Sequence, residues 1–96
     1  MDHAEVAKRL ADHQAELREF PIAALSLFGS VERGDATEQS DVDLLVEFSG
    51  PIGLFGFARL QRVLAGILGR KVDLVPVDGV KRQLRDRILG EARRVA

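Results

Sequence analysis

Between Leu27 and Phe48 the chain reads LFGSVERGDATEQSDVDLLVEF, two apolar runs joined by a polar loop. The second run, Asp41 to Phe48, is dominated by β-branched and apolar residues and reads as a strand. Side chains alternate faces along a strand. Val42, Leu44, Val46 and Phe48 therefore share one face, and Asp41, Asp43, Leu45 and Glu47 share the other. Two carboxylates two residues apart on one face lie within ~7 Å of each other. They raise each other's pKa unless a cation stands between them. A hard divalent ion such as Mg²⁺ takes a few carboxylates together with phosphate oxygens. Surface strands also carry alternating acids that bind nothing, so Asp41-Val42-Asp43 alone leaves both readings open.

The first run, Ile22 to Phe28, reads as a short buried strand that ends at Gly29-Ser30. Glycine permits a tight turn and close approach of a ligand to the backbone. Val31-Glu32-Arg33 is placed to begin a short helix. Backbone N–H groups at such a helix start, with the Ser30 hydroxyl, form a phosphate cradle. Arg33 would add a cationic contact, and Gly34 lets the chain turn away. The plainer alternative is a strand–turn–strand with a turn glycine and a capping serine. A phosphate cradle and paired acids in one segment weigh against that alternative.

Gly29-Ser30, ten intervening residues and Asp41-x-Asp43 together resemble the G-S-x(10)-D-x-D signature of the DNA polymerase beta-type nucleotidyltransferases. Arg33-Gly34 and Ser40 fall where the small prokaryotic members carry R-G and S-D. The chain is most similar to the minimal nucleotidyltransferases, the MNT proteins that pair with HEPN-domain partners as antitoxin and toxin. The order of elements before and after the motif fits the same family.

The remaining segments supply the frame. Asp2 to Arg18 reads as one helix, with Val6, Leu10, His13, Leu17 and Phe20 at helical spacing. Asp2 is its N-cap, Glu5 a capping-box partner, and Pro21 its stop. His13 reads as a core-edge residue and His3 as solvated. Leu54 to Leu68 reads as a second helix with a stripe of Phe57, Leu60, Val63 or Leu64, and Ile67, widened by Leu54, Phe55, Ala58 and Leu68. Gly69 is its C-cap, and Gly66 suggests close packing. Lys71 to Val75 is a short third strand. Asp73 sits there among apolar neighbours, an expensive place for a carboxylate unless it is paired, exposed or metal-bound. It is the candidate for the third carboxylate that the resemblance implies; the alternative is an edge-strand acid paired with Lys71 or Arg70. Val80 to Val95 reads as a final helix, with Val80, Leu84, Ile88 and Leu89 apolar, and Arg82, Arg85, Arg93 and Arg94 facing solvent or a partner.

Composition narrows the class. The 96 residues are 46% hydrophobic and 30% charged, as in a globular domain, and contain no cysteine, so no disulfide or thiolate site. No apolar run is long enough to span a membrane. The first residues lack the apolar core of a signal peptide, and cytoplasm is the expected location. The net charge of −1 argues against a general nucleic-acid binder. It divides unevenly, −7 over residues 1–50, +2 over 51–79 and +4 over 80–96. The basic end would steer a polyphosphate or an acidic partner, or form a solvated helix face.

The expected fold is α+β: a single minimal nucleotidyltransferase domain over 1–96, with a small mixed β-sheet and helices largely on one face. Asp41, Asp43 and Asp73 would be the catalytic and metal-binding residues. Three such carboxylates hold two divalent ions, Mg²⁺ here, ~3.5–4 Å apart. Gly29, Ser30, Arg33 and Ser40 would bind the nucleotide, with ATP as substrate. The resemblance further implies a HEPN toxin as partner and transfer of AMP to one of its tyrosines. The chain has neither Tyr nor Trp, so a tyrosine acceptor must come from another chain. The competing expectations are neutralisation of the toxin by binding alone, and nucleotidyl transfer to a small molecule or RNA. Homo-oligomerisation stays open.

Overall fold

The computed structural model describes residues 1–34, 37, 40–79 and 82–96, with residues 82–85 described in their backbone only. The chain order is α1 (His3–Asp12), α2 (Gln14–Leu17), β1 (Ile22–Phe28), α3 (Gly29–Arg33), β2 (Val42–Phe48), α4 (Gly53–Leu68), β3 (Val72–Pro76), a 3₁₀ turn (Val77–Gly79), α5 (Arg82–Glu91) and β4 (Arg93–Arg94). The strands form one mixed sheet in the order β3-β2-β1-β4. β1 runs antiparallel to β2 and to β4, and β2 runs parallel to β3. The expected α+β architecture is therefore the observed one.

Strand alternation builds the core. Leu25, Leu27, Val42, Leu44, Val46, Val72 and Leu74 are buried on one sheet face together with Val6 and Leu10 of α1 and Leu60, Leu64, Ile67 and Leu68 of α4. The residues between them point to the opposite face, which carries Phe28, Asp43 and Asp73. The parallel β2–β3 pair requires a crossover, and α4 supplies it from the core side.

Four sequence expectations need correction. The first helix breaks at His13, whose φ of −115° and ψ of 26° are not helical. Its ring Nδ1 lies 2.8 Å from the carbonyl of Arg9, so the imidazole closes the end of α1. His3 is not simply solvated, because its Nε2 lies 3.2 Å from the carbonyl of Arg94. Leu54 and Phe55 do not widen the core stripe of α4: they are 80% and 89% exposed. Gly66 meets nothing that a Cβ would touch, so close packing is not its role.

The largest departure is the C-terminus. The last helix ends at Glu91, and Arg93–Arg94 form a fourth strand on the free edge of β1. Leu25 N–H donates to the Ala96 carbonyl at 3.0 Å, and Val95 N–H donates to the Leu25 carbonyl at 2.8 Å. Otherwise unpaired groups on the edge of β1 thus find partners, which helical periodicity in the sequence does not reveal. The expected placements of Val80 and of the Arg82, Leu84 and Arg85 side chains lie outside the described residues.

Candidate active site

Phe28 lies opposite Asp43 in the β1–β2 register, so the end of β1 delivers the start of α3 beside that carboxylate. Gly29 has a φ of +76°, and a Cβ there would run into the Asp43 carboxyl group. Only glycine combines that left-handed conformation with so close an approach. α3 then runs to Arg33 and is ended by Gly34 in the left-handed conformation. Among the described residues no side chain caps the N-terminus of α3, and its first N–H groups face the space in front of them.

That space is a cleft of about 400 Å³. Phe28, Gly29, Ser30 and Arg33 line it from β1 and α3, and Asp43 from β2. Arg87, Ile88 and Glu91 line it from α5. Arg33 reaches Glu91 Oε2 at 3.7 Å, and Arg87 Nε lies 3.4 Å from Glu91 Oε1. Two guanidinium groups thus share one carboxylate at the cleft. Arg87 was not singled out by sequence reasoning; the signal that carried it was the excess of basic residues after position 80.

β2 and β3 place Asp43 and Asp73 as register partners on parallel strands, so their side chains emerge on the same sheet face. Asp43 is half-buried and Asp73 exposed. Burial raises the pKa of Asp43 above the ordinary carboxylate value, the charges of Asp73 and then Asp41 raise it further, and Arg33 pulls it back. Asp73 and Asp41 thus both act on Asp43. Among the described residues, however, no three metal-ligating side chains are drawn together closely enough to hold an ion as they stand. Carboxylates gathered near one another are the donor chemistry of a hard divalent cation, so these residues suit such an ion chemically, and Asp41, Asp43 and Asp73 would hold it.

The remaining predicted residues divide. Gly29, Ser30, Arg33 and Asp43 meet in the cleft. Ser40 does not line it: its hydroxyl accepts the Thr37 N–H at 2.9 Å, and its own N–H donates to the Thr37 carbonyl at 3.1 Å, so it shapes the loop before β2. Asp73 makes no ion pair with Lys71 or Arg70 among the described residues; Arg70 instead donates to the Thr37 carbonyl at 2.8 Å.

A nucleotidyltransferase domain model matches residues 8–95, and the chain belongs to that family. It is an enzyme of the nucleotidyl-transfer class. It is 40% identical over 88 residues to protein adenylyltransferase MntA of Thermococcus cleftensis, covering 91% of this chain and 89% of that protein. A solved minimal nucleotidyltransferase shares 40% of its sequence with this chain and superposes with a TM-score of 0.78, covering 97% and 95% of the two chains. The same fold occurs, at 20% identity and a TM-score of 0.61, in a complex of a tri-AMPylated HEPN toxin of Shewanella oneidensis with MNT antitoxin, covering 98% of this chain and 68% of that one.

Proposed function

We propose that this chain transfers AMP from ATP to a tyrosine hydroxyl of a HEPN-domain toxin and thereby acts as its antitoxin. The observation that carries the reading is the junction of β1 and α3: Gly29 and Ser30 sit against Asp43, so phosphate-binding N–H groups and a carboxylate address one space. The likeness to an archaeal protein adenylyltransferase supports the reaction, and the fold shared with an MNT antitoxin bound to an AMPylated toxin supports the partner.

In this reading the N–H groups at the start of α3 and the Ser30 hydroxyl hold the β- and γ-phosphates, and Arg33 and Arg87 neutralise them. Binding of the triphosphate draws both guanidinium groups away from Glu91, an exchange that costs little because exposed ion pairs are weak. The acceptor oxygen attacks the α-phosphorus; the new P–O bond forms as the α–β bridge breaks, and pyrophosphate leaves. A divalent cation held by Asp41, Asp43 and Asp73 would lower the pKa of the attacking hydroxyl and offset the negative charge of the phosphates. Asp73 stands exposed on the edge strand, where an acceptor carried by another protein can reach it.

The test is intact mass spectrometry of the HEPN-domain protein encoded beside this chain, after incubation with the chain, ATP and Mg²⁺. A gain of one or more AMP masses is expected. A stable complex with no gain would favour neutralisation by binding. Neither complex nor gain would redirect the search to small-molecule or RNA acceptors.

A further inference from the structure

The outer face of α4 carries a surface that the nucleotide site does not use. Phe55, Ala58 and Ala65 recur along this face and form, with Val72 of β3, one wall of an apolar groove of about 480 Å³. Phe55 is 89% exposed and the adjacent Leu54 80% exposed. From Phe55 to Ala65 the helix rises ~15 Å, about the length of three turns. Gln61 crosses the floor and donates to the Val72 carbonyl at 2.8 Å, which ties α4 to β3. The rim is basic: Arg62 and Lys71 border the groove, and among the described residues no acidic one lines it. Among the described residues neither Arg62 nor Lys71 has an ion-pair partner.

We propose that this groove docks an amphipathic helix of the acceptor protein, one whose apolar face is flanked by carboxylates. The inference rests on the reading that the acceptor hydroxyl belongs to another protein. Large exposed apolar residues beside a groove mark an interaction site, and the cationic rim selects an acidic occupant. A second copy of this chain does not fit. An isologous pairing across the groove would set its basic rim against itself. The helix α1 is no substitute occupant, because its apolar residues, Val6 and Leu10, are buried in its own core. The groove ends on Lys71 and Val72, at the start of the edge strand β3. The Asp73 carboxylate emerges on the opposite sheet face, so a helix seated in the groove anchors the acceptor protein at the sheet edge and leaves the carboxylate face open to another part of it.

The experiment measures, by isothermal titration calorimetry, binding of the HEPN-domain protein encoded beside this chain to three forms of the full chain: wild type, Leu54→Ser/Phe55→Ser, and Arg62→Glu. All of the substituted residues are exposed. ATP binding is measured on each form as a check of the nucleotide site. Both variants are expected to weaken HEPN-protein binding at least tenfold, to lower AMP transfer to it in parallel, and to bind ATP as wild type does. Wild-type affinity in both variants would overturn the groove assignment while leaving the proposed reaction standing. Absence of any wild-type complex or transfer would overturn the partner reading and the groove together. A wild-type dimer that both variants convert to monomer would overturn the choice of occupant in favour of a second copy.

Discussion

Asp43 and Asp73 stand opposite each other on the parallel strands β2 and β3. Their flanking residues force this: Val42 and Leu44 on one strand, and Val72 and Leu74 on the other, are buried in the core, so both carboxylates must emerge on the far face. Asp41 adds a third charge from just before β2. The protein thus maintains a repulsion that its hydrophobic core tolerates and that a bound cation would relieve.

The first prediction follows from that repulsion. The ordinary carboxyl pKa of 3.8 is raised at Asp43 in the folded chain, by burial first and then by Asp73 and Asp41. The folded state therefore holds this proton more tightly than the unfolded state does. The contribution of Asp43 to stability is full below pH 3.8 and is lost as pH rises through the folded-state value. In EDTA, Asp43→Asn should melt above wild type at pH 7, with the difference shrinking as pH falls toward 4. A variant that melts below wild type at pH 7 would remove the repulsion from consideration.

The same substitution probes the cation. Mg²⁺ should raise the melting temperature of wild type by binding the folded state, and should do so much less for Asp41→Asn/Asp43→Asn. Transfer by that double variant should fall by more than about 100-fold, since even residues that merely orient metal ligands are worth 10–100-fold. Retained transfer would displace these two acids from the reaction.

Gly29→Ala tests the close approach at the β1–α3 junction. A left-handed alanine costs about 1–2 kcal/mol, and its methyl group must also displace the Asp43 carboxyl group. Thermal denaturation should register the first effect. Transfer should fall further than stability alone explains, because ~1 Å of misplacement in an active site can cost about 100-fold. Activity near wild type would show that Asp43 needs no fixed position against the backbone.

Ser30→Ala and Arg87→Ala separate neutral from charged contacts in the cleft. Loss of a neutral hydrogen bond to phosphate is worth about 1 kcal/mol, or roughly fivefold in KM for ATP. The Arg87 side chain is 74% exposed, so its contact with phosphate is discounted for solvent to roughly tenfold in KM. Neither change should move the melting temperature by more than a degree or two. Steady-state kinetics with varied ATP decides, and an unchanged KM in Arg87→Ala would leave α5 out of nucleotide binding.

How much of this was legible in the sequence depended on whether the information was local. Period-2 alternation gave β1, β2 and β3 nearly to the residue, and the Gly29-Ser30 and Asp41-Val42-Asp43 pairs marked the chemistry, because each rests on residues adjacent in the chain. The break at His13 was hidden, because the apolar spacing of Val6, Leu10 and Leu17 continues across it. The fate of Leu54 and Phe55 was hidden too, since exposure depends on where the sheet ends. β4 was hidden most completely: a two-residue strand exists only because β1 has an open edge. Arg87 entered the cleft by the same route, through the fold-back of the C-terminal segment.

That segment supports the last prediction. Glu32 of α3 has a side chain only 8% exposed, and its Oε1 pairs with Nη1 of Arg93 at 3.3 Å. Its Oε2 is buried with no hydrogen-bond partner among the described residues. Arg93 is thus the cation that makes a buried carboxylate tolerable, and it joins β4 to the helix that begins at Gly29. Removing one partner of a buried pair strands the other. Because Arg93 itself is largely exposed, the cost of Arg93→Ala is discounted to about 1–3 kcal/mol, or roughly 4–8 °C in melting temperature for each kcal/mol in a domain of this size. Adding Glu32→Gln should recover part of that loss, because the stranded charge is gone, whereas a purely packing role for the Arg93 stem would leave the double variant no better than the single one. Since α3 also holds Ser30 and Arg33, Arg93→Ala should raise KM for ATP and Glu32→Gln should partly restore it. A melting temperature unchanged in Arg93→Ala would mean that Glu32 is solvated after all and that β4 is held by its backbone hydrogen bonds alone.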